Sequence, residues 1–328
     1  DVKLYGKVHV SVDYLDAKNA GTVTNDLSRK STTVSSNASR WGIKVSEKLG
    51  GGMTAIGQLE QQINADGEGN SQDSRSRYLG LKGKFGTILA GINDTPFKMA
   101  GRSVDLFPEY VGDNRNLLST GGNGANASRG WDLRPPNAIH YISPGMNGFV
   151  AEYLYSADAV VNTAKEDNSN RLWSVGLKYA KGPLYVAYAR ESHAFNANVS
   201  SGGQRTETGD RISASYNFGA FKVVALHQTL KDLGGTDSGD TSVKRKAWAL
   251  GGAYTAGNNV FKLQYVKADS LSNNSVGASQ PETGAKMWAI GWDHLFSKTT
   301  KAYVAYAKTD NDSNSTFLVN GPSGGART

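Results

Sequence analysis

The sequence of 328 residues contains no cysteine and no long apolar run. Without cysteine, the chain has no thiolate metal site, no redox pair and no cysteine nucleophile. No segment approaches the roughly 18 consecutive apolar residues that a membrane-spanning helix requires, so a helical membrane protein is excluded. Hydrophobic residues make up 38% of the chain, and the mean hydropathy is −0.46. These averages suit a soluble protein, but they also suit barrel strands, in which only alternate residues are apolar.

Proline is scarce at 8 residues, whereas glycine reaches 39 and tyrosine 15. This balance favours many strands with tight turns and interfacial aromatic residues over a helical enzyme. The net charge is +7, but lysine and arginine are dispersed, with one compact run at Lys244-Arg245-Lys246. We therefore predict no nucleic-acid binding and interpret the excess of bases as the lining of a pore. The chain opens at Asp1 without a basic and apolar leader, as expected for a mature exported chain without its signal peptide.

Apolar and polar residues alternate along most of the chain. In segment 4–13 the even positions are apolar or neutral and most odd positions are polar. A period of two over about ten residues indicates a strand with one apolar face, long enough when tilted to cross a bilayer. Further strands are predicted at 40–48, 53–62, 75–83, 86–92, 136–143, 148–156, 171–180, 184–192, 209–217, 221–230, 244–254, 260–268, 285–294 and 301–309. Segment 184–189 is apolar on both faces, so a core strand remains an alternative there.

The connections between these strands alternate in length. Short turns are predicted at 50–52, 83–86, 144–148, 181–183, 217–220, 256–259 and 296–299. Long polar loops are predicted at 16–38, 63–74, 93–134, 157–170, 193–208, 231–243, 269–283 and 310–328. Short periplasmic turns and long extracellular loops are the layout of an outer-membrane barrel.

We therefore predict an all-β fold, with one domain over residues 1–328 forming a transmembrane antiparallel β-barrel of about 16 strands. The pattern supplies about fifteen strands, and a bacterial barrel of this kind has an even number. A closing strand is thus expected beyond Thr328, because segment 321–328 has the composition of a loop. Side chains cannot fill a barrel of about 16 strands, so an aqueous channel remains.

The first hundred residues contain five segments in a specific order and spacing: Asp1-Val2-Lys3-Leu4-Tyr5-Gly6, Ser39-Arg40-Trp41-Gly42-Ile43-Lys44, Leu49-Gly50-Gly51-Gly52-Met53-Thr54-Ala55, Arg77-Tyr78-Leu79-Gly80-Leu81-Lys82-Gly83 and Phe85-Gly86-Thr87. In this combination the chain resembles the trimeric general porins of Gram-negative bacteria, in particular their β-proteobacterial and neisserial branch. The resemblance implies that the third loop, about 93–134, folds into the barrel and narrows it. Its segment Phe107-Pro108-Glu109-Tyr110-Val111-Gly112-Asp113 is similar to the loop tip of enterobacterial porins.

The resemblance also implies a constriction with basic side chains on the wall that faces this loop. Lys7, Arg40, Arg75 and Arg134 match basic residues of the family, and Lys44, on the same face as Arg40, and Arg77 are added to the expected set. Arg75 matches if Gly80-Leu81 is the anchor, and Arg77 shares its parity, so that assignment is open by one pleat. The expected acidic residues across the lumen are Asp105, Glu109 and Asp113. The alternative is that all of these are solvated charges on ordinary strands.

The expected function is passive diffusion of small hydrophilic solutes and ions through an outer-membrane channel. Six bases facing three acids predict a preference for anions. The alternative is a substrate-selective channel for phosphate or organic acid anions. The expected partners are two further copies of the chain in a homotrimer, together with outer-membrane lipid and lipopolysaccharide.

No enzymatic activity is predicted. Gly321-Pro322-Ser323-Gly324-Gly325 fits the Gly-x-Ser-x-Gly pattern, but no strand precedes it and no helix follows it. No cofactor is expected, and metal binding is limited to loose contacts of divalent cations with acidic loops.

Overall fold

The computed structural model describes residues 1–18, 21–22, 25–26, 29–67, 74–119, 130–159, 170–196, 204–233, 243–273, 282–317 and 319. The strands are β1 (Val2–Lys7), β2 (Val10–Ala17), β3 (Gly21–Thr22), β4 (Asn25–Asp26), β5 (Arg29–Ser36), β6 (Arg40–Gly50), β7 (Met53–Gln62), β8 (Ser74–Gly83), β9 (Gly86–Ile92), β10 (Ala138–Ile142), β11 (Phe149–Ser156), β12 (Arg171–Lys181), β13 (Leu184–Asn196), β14 (Gln204–Phe218), β15 (Phe221–Lys231), β16 (Val243–Ala256), β17 (Asn259–Ala268), β18 (Ser272–Asn273), β19 (Ala285–Leu295) and β20 (Lys301–Asn311). Two short helices, α1 (Pro96–Arg102) and α2 (Arg115–Leu118), lie between β9 and β10.

The long strands form one antiparallel sheet in which neighbours in sequence are neighbours in space. The order is β1, then β6 to β17, then β19 and β20, with β18 pairing with β16. Strands joined by two to five residues pair as hairpins, as β14 and β15 do through the turn at 219–220. The predicted transmembrane strands from 40–48 onward are confirmed, because the period of two is a local signal that every hairpin preserves.

The first predicted strand, 4–13, is instead two strands. β1 pairs with β6, whereas β2 pairs with β5 in a separate two-stranded sheet. The chain breaks at His9, whose backbone N–H donates to the Ser39 hydroxyl and whose carbonyl accepts from the Asn37 backbone N–H. The prediction that residues 16–38 form a loop was wrong in part, because Arg29–Ser36 form strand β5, which pairs with β2.

The outer face of the sheet is apolar and exposed. Leu4 pairs with Ile43 on this face, and Leu4 is 71% exposed. Leu59, Leu79, Ile212 and Val304 are similarly exposed on other strands. An apolar face this extensive is stable only against another apolar phase, so the sheet has the inside-out pattern of a membrane barrel.

The inner face differs between the two halves of the sheet. On β1 and β6–β12 it carries polar side chains such as Lys7, Arg40 and Lys178. On β13–β20 it is rich in alanine and glycine, including Ala187, Ala189, Ala247, Ala249, Ala289 and Gly291. These small residues leave room for the third loop. Segment 184–189 is therefore apolar on both faces because one face meets lipid and the other meets this loop.

The third loop folds inward, as expected, and it packs against the alanine-rich half of the inner face. Helix α1 begins after Thr95, whose hydroxyl accepts from the Lys98 backbone N–H, and Pro96 occupies its first turn. Phe97, Phe107 and the two leucines of α2 are fully buried against the wall. These apolar contacts, in addition to the attachment of the loop at its two ends, hold the third loop against the inner face of the sheet.

No helix among the described residues is long and apolar enough to cross a membrane. Within the described residues, β1 pairs with β6 and β20 pairs with β19, so each of these two strands has one edge without a paired strand. The segment 321–328, with its Gly-x-Ser-x-Gly pattern, lies outside the described residues. The closing strand expected beyond Thr328 stays a prediction.

Candidate pore constriction

Glu109, in the third loop, is the centre of the candidate site and meets four cations. Lys7 Nζ lies 2.7 Å from its Oε2, and Arg40 Nη1 lies 3.1 Å from its Oε1. Arg102, at the end of α1, donates to Oε1, and Arg75 Nη2 lies 3.9 Å from the same oxygen. Burial acts to raise the pKa of Glu109, but the charges of Arg102, Lys7 and Arg40 outweigh it and lower the pKa to about 2. The carboxylate therefore stays ionised.

Segment 107–113 fixes the position of this carboxylate. Asp113 Oδ2 accepts a hydrogen bond from the Glu109 backbone N–H at 2.8 Å, and Arg115 Nη2 holds the same oxygen at 2.6 Å. Gly112 has a φ of +86°, and a Cβ there would lie 2.5 Å from the Cβ of Ala289. The glycine is thus required both by its backbone conformation and by its close approach to the wall.

Glu60, on the inner face of β7, is a second carboxylate among the bases. It accepts a hydrogen bond from Arg75 Nε at 2.6 Å, and Arg40 Nε lies 3.6 Å away. Tyr5 donates its hydroxyl to the other oxygen at 2.9 Å. Glu60 therefore holds both arginines against the wall while Glu109 contacts them from the loop.

Arg77 lies on the opposite face from Arg75. The pairing of β7 with β8 shifts between Leu59 and Gln61, which is a β-bulge. Leu59 faces outward and pairs with Arg77, so the register places Arg77 on the outer face. The expectation that Arg75 and Arg77 share a face was wrong, because the extra residue of a bulge inverts the alternation.

Lys44 and Arg134 lie on the same inner surface but outside the Glu109 cluster. Lys44 Nζ stands 5.0 Å from the centre of the Tyr5 ring and is exposed. Arg134 Nη2 lies 2.9 Å from Asp94 Oδ1, and Lys98 Nζ lies 2.8 Å from the same oxygen. Burial acts to raise the pKa of Asp94, and the two cations lower it well below its usual range.

The three expected acidic residues do not form an exposed wall. Glu109 is 2% exposed, and Asp113 is fully buried against Arg115. Asp105 Oδ1 accepts hydrogen bonds from the Phe107 backbone N–H at 3.0 Å and from Gln264 Nε2 at 3.1 Å. Burial, together with the charge of Asp113, raises the pKa of Asp105 to about 8. The three carboxyl groups make these contacts with other groups of the protein, because the loop packs its tip against the wall.

Several residues of the site did not come from the sequence pattern. Arg102 and Lys98 lie in the loop, where strand parity gives no information. Glu60 lies in the predicted strand 53–62, and its inward parity was the available signal. Glu152 pairs with Lys178 on β12, and its Oε2 lies 3.4 Å from His140 Nε2. Among the described residues, no group of three or more histidine or acidic side chains is arranged to hold a metal ion.

Comparison with known proteins identifies the family of the chain. The sequence model of the Gram-negative porin family matches residues 1–314. Outer membrane porin protein 32 of Delftia acidovorans is 29% identical, over 96% of this chain and 86% of that protein. The major outer membrane protein P.IB of Neisseria gonorrhoeae is 26% identical, over 93% of this chain and 87% of that protein.

Solved structures give the same result. The anion-selective porin from Comamonas acidovorans superposes with a TM-score of 0.72 at 26% identity, over 95% of this chain and 89% of that one. OmpF of Salmonella typhi superposes with a TM-score of 0.71 at 17% identity, over 95% and 92% of the two chains, which is a likeness of fold alone. The chain therefore belongs to the Gram-negative porin family, and it forms a channel in the outer membrane.

Proposed function

We propose that the channel is a diffusion porin that prefers anions, and that the cluster around Glu109 sets this preference. The carrying observation is the difference in exposure between bases and acids. The side chains of Lys7, Arg40 and Arg102 are 40%, 20% and 23% exposed, whereas that of Glu109 is 2% exposed. A permeating ion can therefore contact the exposed cations, whereas the buried carboxylate lies behind them.

The numbers of charges point the same way. Among the described residues, the ion pairs of Glu60, Asp94, Glu109 and Glu152, together with Lys44, comprise eight lysines and arginines and four carboxylates. The bases are Lys7, Arg40, Lys44, Arg75, Lys98, Arg102, Arg134 and Lys178, and the acids are Glu60, Asp94, Glu109 and Glu152. An excess of fixed positive charge in a narrow aqueous passage lowers the barrier for anions and raises it for cations. The printed description of the Comamonas acidovorans relative as anion-selective supports the proposal.

The test is a planar-bilayer recording of the purified protein in a salt gradient. Stepwise conductance with a reversal potential directed toward chloride is the expected result. A reversal potential directed toward the cation would refute the anion preference, and an absence of conductance steps would refute an open channel. Because exposed charges are screened with a Debye length of about 10 Å at 0.1 M, the selectivity should decline as salt is raised.

A substrate-selective channel for phosphate or organic acid anions is the second candidate. Arg40, Arg75 and Arg102 bring three planar guanidinium groups to the Glu109 carboxylate, a grouping suited to oxyanions. Conductance that saturates at low concentrations of phosphate or an organic acid, but not of chloride, would favour this candidate over simple diffusion.

We also propose that the chain assembles as a homotrimer, in contact with outer-membrane lipid and lipopolysaccharide. Membership in a family whose porins are typically trimeric supports this proposal. An SDS-resistant species of three times the monomer mass, which heating converts to monomer, is the expected result on gels. A monomer in mild detergent by light scattering would contradict it.

A further inference from the structure

A separate cavity lies on the short-turn side of the third loop, away from Glu109. Its volume is about 380 Å³. One side is the loop segment at Asp105, Leu106 and Pro108, and the other is the inner wall near the turns of β14–β20. The cavity belongs to the lumen, so a solute that has passed the loop, or is about to enter it, can reach this space.

Three lysines line this cavity. Lys262 and Lys301 each place Nζ 2.8 Å from an oxygen of Asp293, one on each side of the carboxylate. Lys222 is half-buried on the inner face of β15, with no carboxylate at ion-pair distance among the described residues. Asp293 thus pairs with two of the three lysines and leaves Lys222 without a carboxylate partner among the described residues.

Asp105 does not cancel the remaining charge near neutrality. Its pKa, raised to about 8 by burial and by Asp113, keeps most of it protonated at pH 7. Lys262 also donates to the Tyr110 hydroxyl and stands 4.7 Å from the centre of the Phe107 ring. Lys262 is thereby held in place, whereas Lys222 and the 40%-exposed Lys301 remain accessible to a solute.

The rest of the lining is mainly apolar, with Asn217 and Thr255 as the further polar residues. Leu106 and Pro108 form the loop side, and Ala253 and Val260 form part of the wall. A bare inorganic anion gains nothing from such a lining, because its hydration is lost without a polar replacement. An anion with an apolar body gains from both parts, since apolar surface leaves water while the charge meets ammonium groups.

We propose that this cavity is a binding site for small organic carboxylates with an apolar body, with Lys222 as the principal charge contact. Lys301 provides the second contact, and Leu106, Pro108 and Val260 receive the apolar part. This proposal deepens the proposed function by adding a site distinct from the Glu109 cluster. It rests on the channel giving solutes access to the lumen, but not on the sign of its ion selectivity.

Isothermal titration calorimetry of the folded, detergent-solubilised protein tests the site independently of conductance. The probes are benzoate, acetate and benzyltrimethylammonium, at fixed ionic strength. Benzoate should bind saturably in the millimolar range, acetate at least about tenfold more weakly, and the cation not at all. Equal affinity for benzoate and acetate would overturn the apolar contribution, and linear heats for benzoate would overturn the site.

Two variants and a matched control locate the binding. Lys222→Gln should weaken benzoate binding about fivefold or more, and Ala253→Leu should do the same by filling the cavity without changing the charge. Lys82→Gln removes a lysine from the inner face of β8, on the opposite wall, and should leave the affinity unchanged. Equal losses in Lys82→Gln and Lys222→Gln would show diffuse electrostatics and overturn the proposal. A reversal potential directed toward cations, with benzoate binding intact, would refute the anion preference alone.

Discussion

Lys7 Nζ lies 2.7 Å from Glu109 Oε2, although 102 residues separate them in the chain. This contact joins the first strand of the sheet to the tip of the third loop. Arg40 on β6 and Arg102 in the loop meet the same carboxylate. Glu109 therefore fixes the loop across the lumen and gives the exposed bases around it an internal counter-charge.

Glu109→Gln should raise the permeability ratio of chloride to potassium by roughly two- to fivefold. The substitution leaves four cations without their shared carboxylate, and one charge at about 4 Å in water corresponds to about 1 kcal/mol. Reversal potentials in a KCl gradient measure the effect. Glu47→Gln, with the same change of charge on the outward parity of β6, is the matched control and should leave the ratio unchanged.

Replacing Arg40 and Arg75 together by serine should lower the anion preference, because both guanidinium groups lie on the inner face near Glu109. The paired control is Arg77→Ser, which removes one positive charge from the outer face. Selectivity is measured as before, and conductance is recorded in parallel. If Arg77→Ser altered selectivity as much as the double variant, the register assigned to β8 would be incorrect.

Gly112→Ala should loosen the third loop. An added Cβ would lie 2.5 Å from Ala289, at a φ of +86°, so the loop must shift from the wall. The cost should be about 2 kcal/mol or more, and it should appear as a lower thermal unfolding temperature and greater open-channel noise. Gly219→Ala is the control, since its φ is +63° but nothing lies within 4 Å. It should show backbone strain without the change in channel noise.

The pKa of Asp105, raised to about 8, predicts a pH dependence. The folded protein binds this proton more tightly than the unfolded chain, so stability should fall as pH rises from about 4 to 8. Above pH 8 the loop gains a negative charge in the lumen, and the preference for anions should decline.

Reversal potentials between pH 6 and 9 and thermal unfolding between pH 4 and 8 measure the two effects. Asp105→Asn should remove both pH dependences, because the amide does not titrate. Glu109, with its pKa near 2, contributes no step in this range. A selectivity change near pH 8 that persists in Asp105→Asn must come from another group.

The sequence by itself determined the strands, the alternation of short turns and long loops, and the apolar outer face. These features are local, since a strand needs a period of two and a turn needs glycine or an asparagine-rich segment. The resemblance also selected Lys7 and Arg40, which parity within regular strands places on the inner face, and Arg75, which the bulge of β8 places there. The break at His9 was not visible, since it depends on contacts with Asn37 and Ser39 from the paired segment.

The tertiary structure alone decided which charges meet and which face the water. Arg77 lies on the outer face because β8 has one extra residue at the bulge. A bulge is a property of the pairing between two strands, here β7 and β8, so the sequence of one strand does not reveal it. Glu109 and Asp113 became buried, and Asp105 partly buried, because the loop packs its apolar side chains against an alanine-rich wall more than a hundred residues away. Arg102 entered the site for the same reason. Burial and ion pairing depend on distances between segments remote in sequence, and a pattern of local period carries no information on those distances.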